Sequence, residues 1–92
     1  MKPTPISSKE YERLVVPRQH LWWDVRDKRA LSLESVVEGI LNRGNWNDVQ
    51  ALFEEVGLSK VMHIFKKQIK SPRTNYKPQT INFFNLYFER HA

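Results

Sequence analysis

From Ser32 onward, apolar positions recur with the period of an α-helix. Leu33, Val36, Val37, Ile40 and Leu41 follow the i, i+3, i+4, i+7, i+8 spacing of an amphipathic helix, with Ser32 as N-cap and Gly44 as stop. Asn45 starts a second helix with the apolar stripe Trp46, Val49, Leu52, Phe53 and Val56, and Gly57 stops it. Ser59 is the expected cap of a third, with Val61, Ile64, Phe65, Gln68 and Ile69 in register. Residues 71–79 contain two prolines and several polar residues and read as a loop. Thr80 then caps a last helix over 81–90. Upstream the pattern is weaker. Ser7 and Glu10 have capping-box spacing and open a short helix through about Val15, which Pro17 ends. Leu21, Trp22, Trp23, Asp24 and Val25 form an apolar cluster too short to assign, and 26–30 reads as a turn.

No alternation of strand type competes with these signals. The expected fold is all-α: a single small domain of about five short helices, its middle three joined by very short links, with a helix-turn-helix-like central unit over 46–69. Residues 1–6, with Pro3 and Pro5, read as a disordered or extended lead-in, and 7–92 as one helical domain. Gly39 lies inside a helix, where it costs up to about 1 kcal/mol relative to Ala; such a glycine marks a close crossing by another helix.

Two places carry more apolar surface than one helix face needs. In the last helix Ile81, Phe84 and Phe88 can face the core, while Phe83, Leu86 and Tyr87 lie on another side, where either further core or a protein partner would cover them. Trp22 and Trp23 are adjacent and point in different directions, so one belongs to the core and the other to the last helix or a partner. Trp22, Trp23, Phe83, Leu86 and Tyr87 are therefore the candidate partner-binding residues.

Charge sharpens the picture. Residues 1–55 carry 8 Lys/Arg against 9 Asp/Glu, and residues 56–92 carry 7 against 1. No acidic residue stands between Val56 and Phe88. Lys60, His63, Lys66, Lys67, Lys70, Arg73 and Lys77 are the candidate nucleic-acid contacts, since a one-signed patch concentrates anionic partners. On a helix-turn-helix reading 59–70 would be the recognition helix. Its cations crowd the C-terminal half, which suits phosphate contact more than base edges, and lysines there also complement the helix dipole.

The composition argues against other classes. At 92 residues with 40% hydrophobic and 27% charged content, the chain reads as globular. It has no cysteine, so neither a disulfide framework nor a thiolate zinc site is available. The longest apolar runs fall far short of a membrane span, the N-terminus lacks a signal-peptide pattern, and the expected location is cytoplasmic. His20, His63 and His91 lack metal-ligand spacing, and the three glycines make no phosphate loop. The carboxylate pairs Asp24 with Asp27 and Glu54 with Glu55 read as surface charge or caps. The expectation is a protein without catalytic residues, cofactor or metal.

Several stretches together resemble a family of small helical prokaryotic proteins encoded beside abortive-infection-type nucleotidyltransferase toxins. They are Leu21, Trp22, Trp23, Asp24 and Val25; Leu41, Asn42, Arg43 and Gly44; Trp46, Asn47, Asp48 and Val49 with Leu52, Phe53 and Gly57; Ser71, Pro72, Arg73 and Thr74; and Ile81, Asn82, Phe83 and Phe84. The resemblance spans 21–88. This chain departs from the family by inserting Asn75, Tyr76, Lys77, Pro78, Gln79 and Thr80 before the Asn-Phe motif. The resemblance implies an antitoxin-like partner protein; together with the surplus apolar surface of 81–88 and the basic patch, it leads to the expectation of a neutraliser that occludes a cognate toxin, its basic segment 60–77 competing for the toxin's nucleotide or nucleic-acid groove. The alternative function is a helix-turn-helix DNA-binding transcriptional autoregulator.

Overall fold

Ser7 opens the first helical run through a complete capping box: its hydroxyl accepts from Glu10 N at 3.1 Å, and the Glu10 carboxylate accepts from Ser7 N at 2.9 Å. The computed structural model describes residues 4–23, 25–71 and 74–91. Helix α1 (Ser8–Glu10) widens into a π-helical turn, Tyr11–Val15, and tightens into a 3-10 stretch, Val16–Trp22, that is kinked at Arg18 (φ −130°, ψ 31°), so the first helical run ends just past Pro17 and a second short piece follows. Pro17 stands at the start of that stretch, where its missing N–H breaks an α ladder but is tolerated in a new first turn. The two pieces bury Leu14, Val15, Leu21 and Trp22, so the first two residues of the unassigned apolar cluster end the second piece. A short 3-10 turn, Lys28–Ala30, occupies part of the expected turn.

Helix α2 (Leu33–Arg43) is capped by Ser32, whose hydroxyl accepts from Ser35 N at 3.1 Å, and all five of its expected core residues are buried. Helix α3 (Trp46–Val56) starts with a capping box between Asn45 and Asp48. Gly57, at φ +100°, ends α3 and leads directly into α4 (Leu58–Ile69). Only glycine enters that backbone region at little cost, so one helix ends and the next begins around a single residue. Ser59 is consequently not the N-cap of α4 but lies in its first turn. A one-residue joint is also shorter than the three or four residues of a helix-turn-helix turn.

Helix α5 (Pro78–His91) begins two residues before the expected cap, Thr80. Proline suits a first helical turn because its φ is preset and its N–H is not needed. With Pro78 and Gln79 absorbed into the helix, the expected loop is shorter.

The fold is all-α, with one continuous core running from Leu14 to Phe88 through every α-helix after α1. Thr4, Pro5 and Ile6 are extended. Thr4 N donates to Glu34 Oε1 at 2.6 Å, Leu33 N donates to Thr4 O at 2.7 Å, and Pro5 forms an isolated bridge with Ser32. The rest of the expected lead-in, residues 1–3, lies outside the described residues. Among the described residues no helix is long and apolar enough to cross a membrane.

Candidate interaction surfaces

Helix α5 divides its rings between two sides. Phe84 and Phe88 are buried, packing on Phe65 of α4 with ring centroids 6.0 and 5.5 Å away. One step round the helix, Tyr87 lies parallel to Phe53 of α3 at 5.6 Å and edge-on to Trp46 at 5.4 Å. Phe83 meets Trp46 edge-on at 6.2 Å and lies nearly parallel to Tyr87. These rings join α3 to α5 but remain open to solvent: Trp46 is 43% exposed, Phe83 50% and Leu86 51%. A shallow depression of about 270 Å³ is lined by Phe83, Leu86, Tyr87, Arg90 and His91.

Trp46, expected in the buried stripe of α3, belongs to this surface instead. It is the first residue of α3 and shares a flank with Phe53, seven positions on, which turns both toward α5 and away from α4. The i, i+7 pairing was readable in the sequence; the position of α5 was not.

The two tryptophans part company. Trp22 is 3% exposed and belongs to the core, not to a partner surface. Its indole lies against Gly39 of α2, where a Cβ would sit 2.5 Å from Nε1. That close approach is what the mid-helix glycine permits, though a side chain from the 3-10 run makes it and not a crossing helix. Trp22 Nε1 is buried without an acceptor among the described residues. Trp23, at 82%, is the most exposed of the large apolar residues, but it makes no ring contact with the α3–α5 group among the described residues.

The cations of α4 form a second surface. At about 100° per residue, Lys60, His63, Lys66, Lys67 and Lys70 fall within an arc of roughly 120°, opposite the face of Val61, Ile64 and Phe65. All five are exposed, whereas the three apolar residues are buried. Lys60, Lys66 and Lys70 have no carboxylate within ion-pair distance among the described residues. Lys77 is exposed but set apart: its backbone N donates to Asn42 Oδ1 of α2 at 3.2 Å. Arg73 and Asp24 lie outside the described residues.

Two polar arrangements escaped the sequence reading. Tyr76, in the inserted segment, is buried; its hydroxyl donates to Gln68 Oε1 at 2.6 Å, and Gln68 Nε2 donates to Glu34 O at 2.8 Å. Its ring packs edge-on to Phe65 at 5.1 Å. Burial, reinforced by the Glu38 charge, pushes the phenol far above its usual range. Asn42 Nδ2 donates to Asn75 O at 3.1 Å, so the insert straps α5 onto α2 and α4. In the second arrangement, Arg18 Nε donates to Asp48 Oδ1 at 2.7 Å, and its Nη1 donates to the carbonyls of Arg13 and Leu14. An Arg thirty residues from its carboxylate leaves no local signal.

Among the described residues no three His, Asp or Glu side chains converge as a metal site would require. Compared with known proteins, the chain matches no family model, no curated protein and no solved structure.

Proposed function

We propose that this protein works by covering another: an antitoxin-like neutraliser, not an enzyme, that occludes a cognate nucleotidyltransferase-like toxin with the ring surface of α3 and α5. The observation that carries the proposal is the half-exposed group Trp46, Phe83 and Leu86, set around the partly buried Tyr87, in a chain whose core is closed by other residues. Phe83 and Leu86 do not complete the monomer's core, so their open faces are available to a partner. Trp and Tyr are the residue types that dominate binding energy when a partner desolvates them. A stable complex buries about 1,200–2,000 Å² in all, so the rings would form its centre and the polar ends of α3 and α5 its rim. The toxin class rests on the resemblance over 21–88.

Co-expression with the protein encoded next to this chain tests the proposal. The expected result is a co-purifying complex and relief of growth inhibition. The pair Phe83→Ser and Leu86→Ser should abolish both, while folding stability changes by less than about 1 kcal/mol, as for exposed sites. A complex that survives the double substitution would reject the ring surface, and a toxin that stays active beside the parent chain would reject the function.

A further inference from the structure

Helix α4 carries a charge pattern that its own stability does not explain. Lysines near a helix C-terminus complement the macrodipole, which accounts for Lys66, Lys67 and Lys70. It does not account for Lys60, which stands in the first turn, where a positive charge opposes the dipole and no acidic residue offsets it. Lys66 and Lys70 are four positions apart and Lys67 and Lys70 three, spacings at which like charges repel on a helix surface. No Asp or Glu occurs anywhere in α4 to alternate with them. The arc extends from Lys60 to Lys70, roughly 15 Å at 1.5 Å per residue.

We infer that this face of α4 binds the phosphate backbone of duplex nucleic acid without reading its sequence. The chemistry of the arc selects that partner over three others. A protein partner is disfavoured because interface cores are depleted in lysine and the arc holds no Phe, Tyr, Trp or large aliphatic residue. A membrane surface would require apolar side chains to insert beside the lysines, and the apolar face of α4 is committed to the core through Val61, Ile64 and Phe65. Single strands are held by stacking on interleaved aromatics; here the exposed large aromatic side chains, Trp23, Trp46 and Phe83, all lie outside α4. Base reading rests most often on Arg, Asn or Gln toward the start of the helix, and α4 has none of them before Gln68. Lysine ammonium groups, as flexible point charges, suit backbone phosphates of any sequence.

The test is fluorescence anisotropy of the full chain with a 20-base-pair duplex of mixed sequence, read across a salt series. If Lys60, Lys66 and Lys70 each neutralise one phosphate, log affinity falls against log salt with a slope of about −2.7, roughly a 40-fold loss from 50 to 200 mM. Each Lys→Ala at these positions should flatten the slope by about one, equally on unrelated sequences. Lys77→Ala should leave the slope unchanged. Since all four side chains are exposed, circular dichroism melts of the variants should match the parent. The inference is overturned if the duplex does not bind at 50 mM salt, or if Lys77→Ala weakens binding as much as Lys66→Ala. Equal or tighter binding to the 20-nucleotide single strand would overturn it too, as would equal or tighter binding to phosphatidylserine vesicles. None of these outcomes touches the ring surface, so this inference and the proposed function stand or fall separately.

Discussion

At Gly39 the indole of Trp22 lies against the backbone of α2, with ring atoms 2.5–2.9 Å from where a Cβ would stand. The intruding group is a rigid, buried ring, so it cannot swing aside as the end of a flexible chain would. Gly39→Ala gains up to about 1 kcal/mol of helix propensity but incurs an overpacking penalty of about 1–3 kcal/mol. A net loss of up to about 2 kcal/mol in urea unfolding is expected; a midpoint above the parent's would mean that the ring gives way. Tyr76 illustrates a different residue-scale effect. Its pKa is raised in the folded chain because burial disfavours the phenolate, so the folded state holds its proton at pH values where the unfolded state has lost it. That contribution is fully present below about pH 10, the unfolded value, and is lost as pH rises beyond it, by up to about 1.4 kcal/mol per pH unit. Tyr76→Phe should show a shallower alkaline loss of stability than the parent, and identical slopes above pH 10 would refute the assignment.

At the scale of elements, legibility followed locality. The caps of α2 and α3 and the stripe of α2 were readable because each depends on residues within eight positions of one another. The first run was not, because Pro17 forbids a regular helix without saying what replaces it, and the π and 3-10 turns that do so have no distinctive pattern. Ser59 and Thr80 look like caps by composition, but Gly57 and Pro78 had already started those helices by backbone geometry. In α5 the two apolar sides were plain in the sequence. That Phe84 and Phe88 would face α4 while Phe83 and Leu86 stayed open depended on where α3 and α4 stood.

Across the whole molecule, Arg18 and Asp48 tie the N-terminal run to α3, one of the two helices that carry the ring surface. The pair is nearly covered, with side chains 13% and 16% exposed, and Asp48 also accepts from Asn45 N at the start of α3. Asp48→Ala therefore removes a cap and leaves a largely buried guanidinium without its carboxylate, at an expected cost of about 2–3 kcal/mol in denaturant unfolding. Asp48→Asn keeps an acceptor for the cap and should lose less; equal losses would show that the cap contributes nothing. Lys9 and Arg13 add a more exposed contact through Glu55. The carboxylates of the first half are thus partly used in holding the molecule together. The lysines of α4 face outward.

By itself the amino-acid order determined an all-α chain, the principal helices to within a turn, the cationic arc of α4 and the two-sided character of α5. Each follows from a period or a cap that the chain expresses locally. Tertiary structure alone decided that Trp22 is interior and Trp23 exterior, that Trp46 completes the ring surface, and that Tyr76 anchors the otherwise exposed inserted segment in the core. Those outcomes depend on contacts between residues far apart in the chain, such as Trp22 with Gly39 or Arg18 with Asp48, where packing geometry rather than spacing selects the partner.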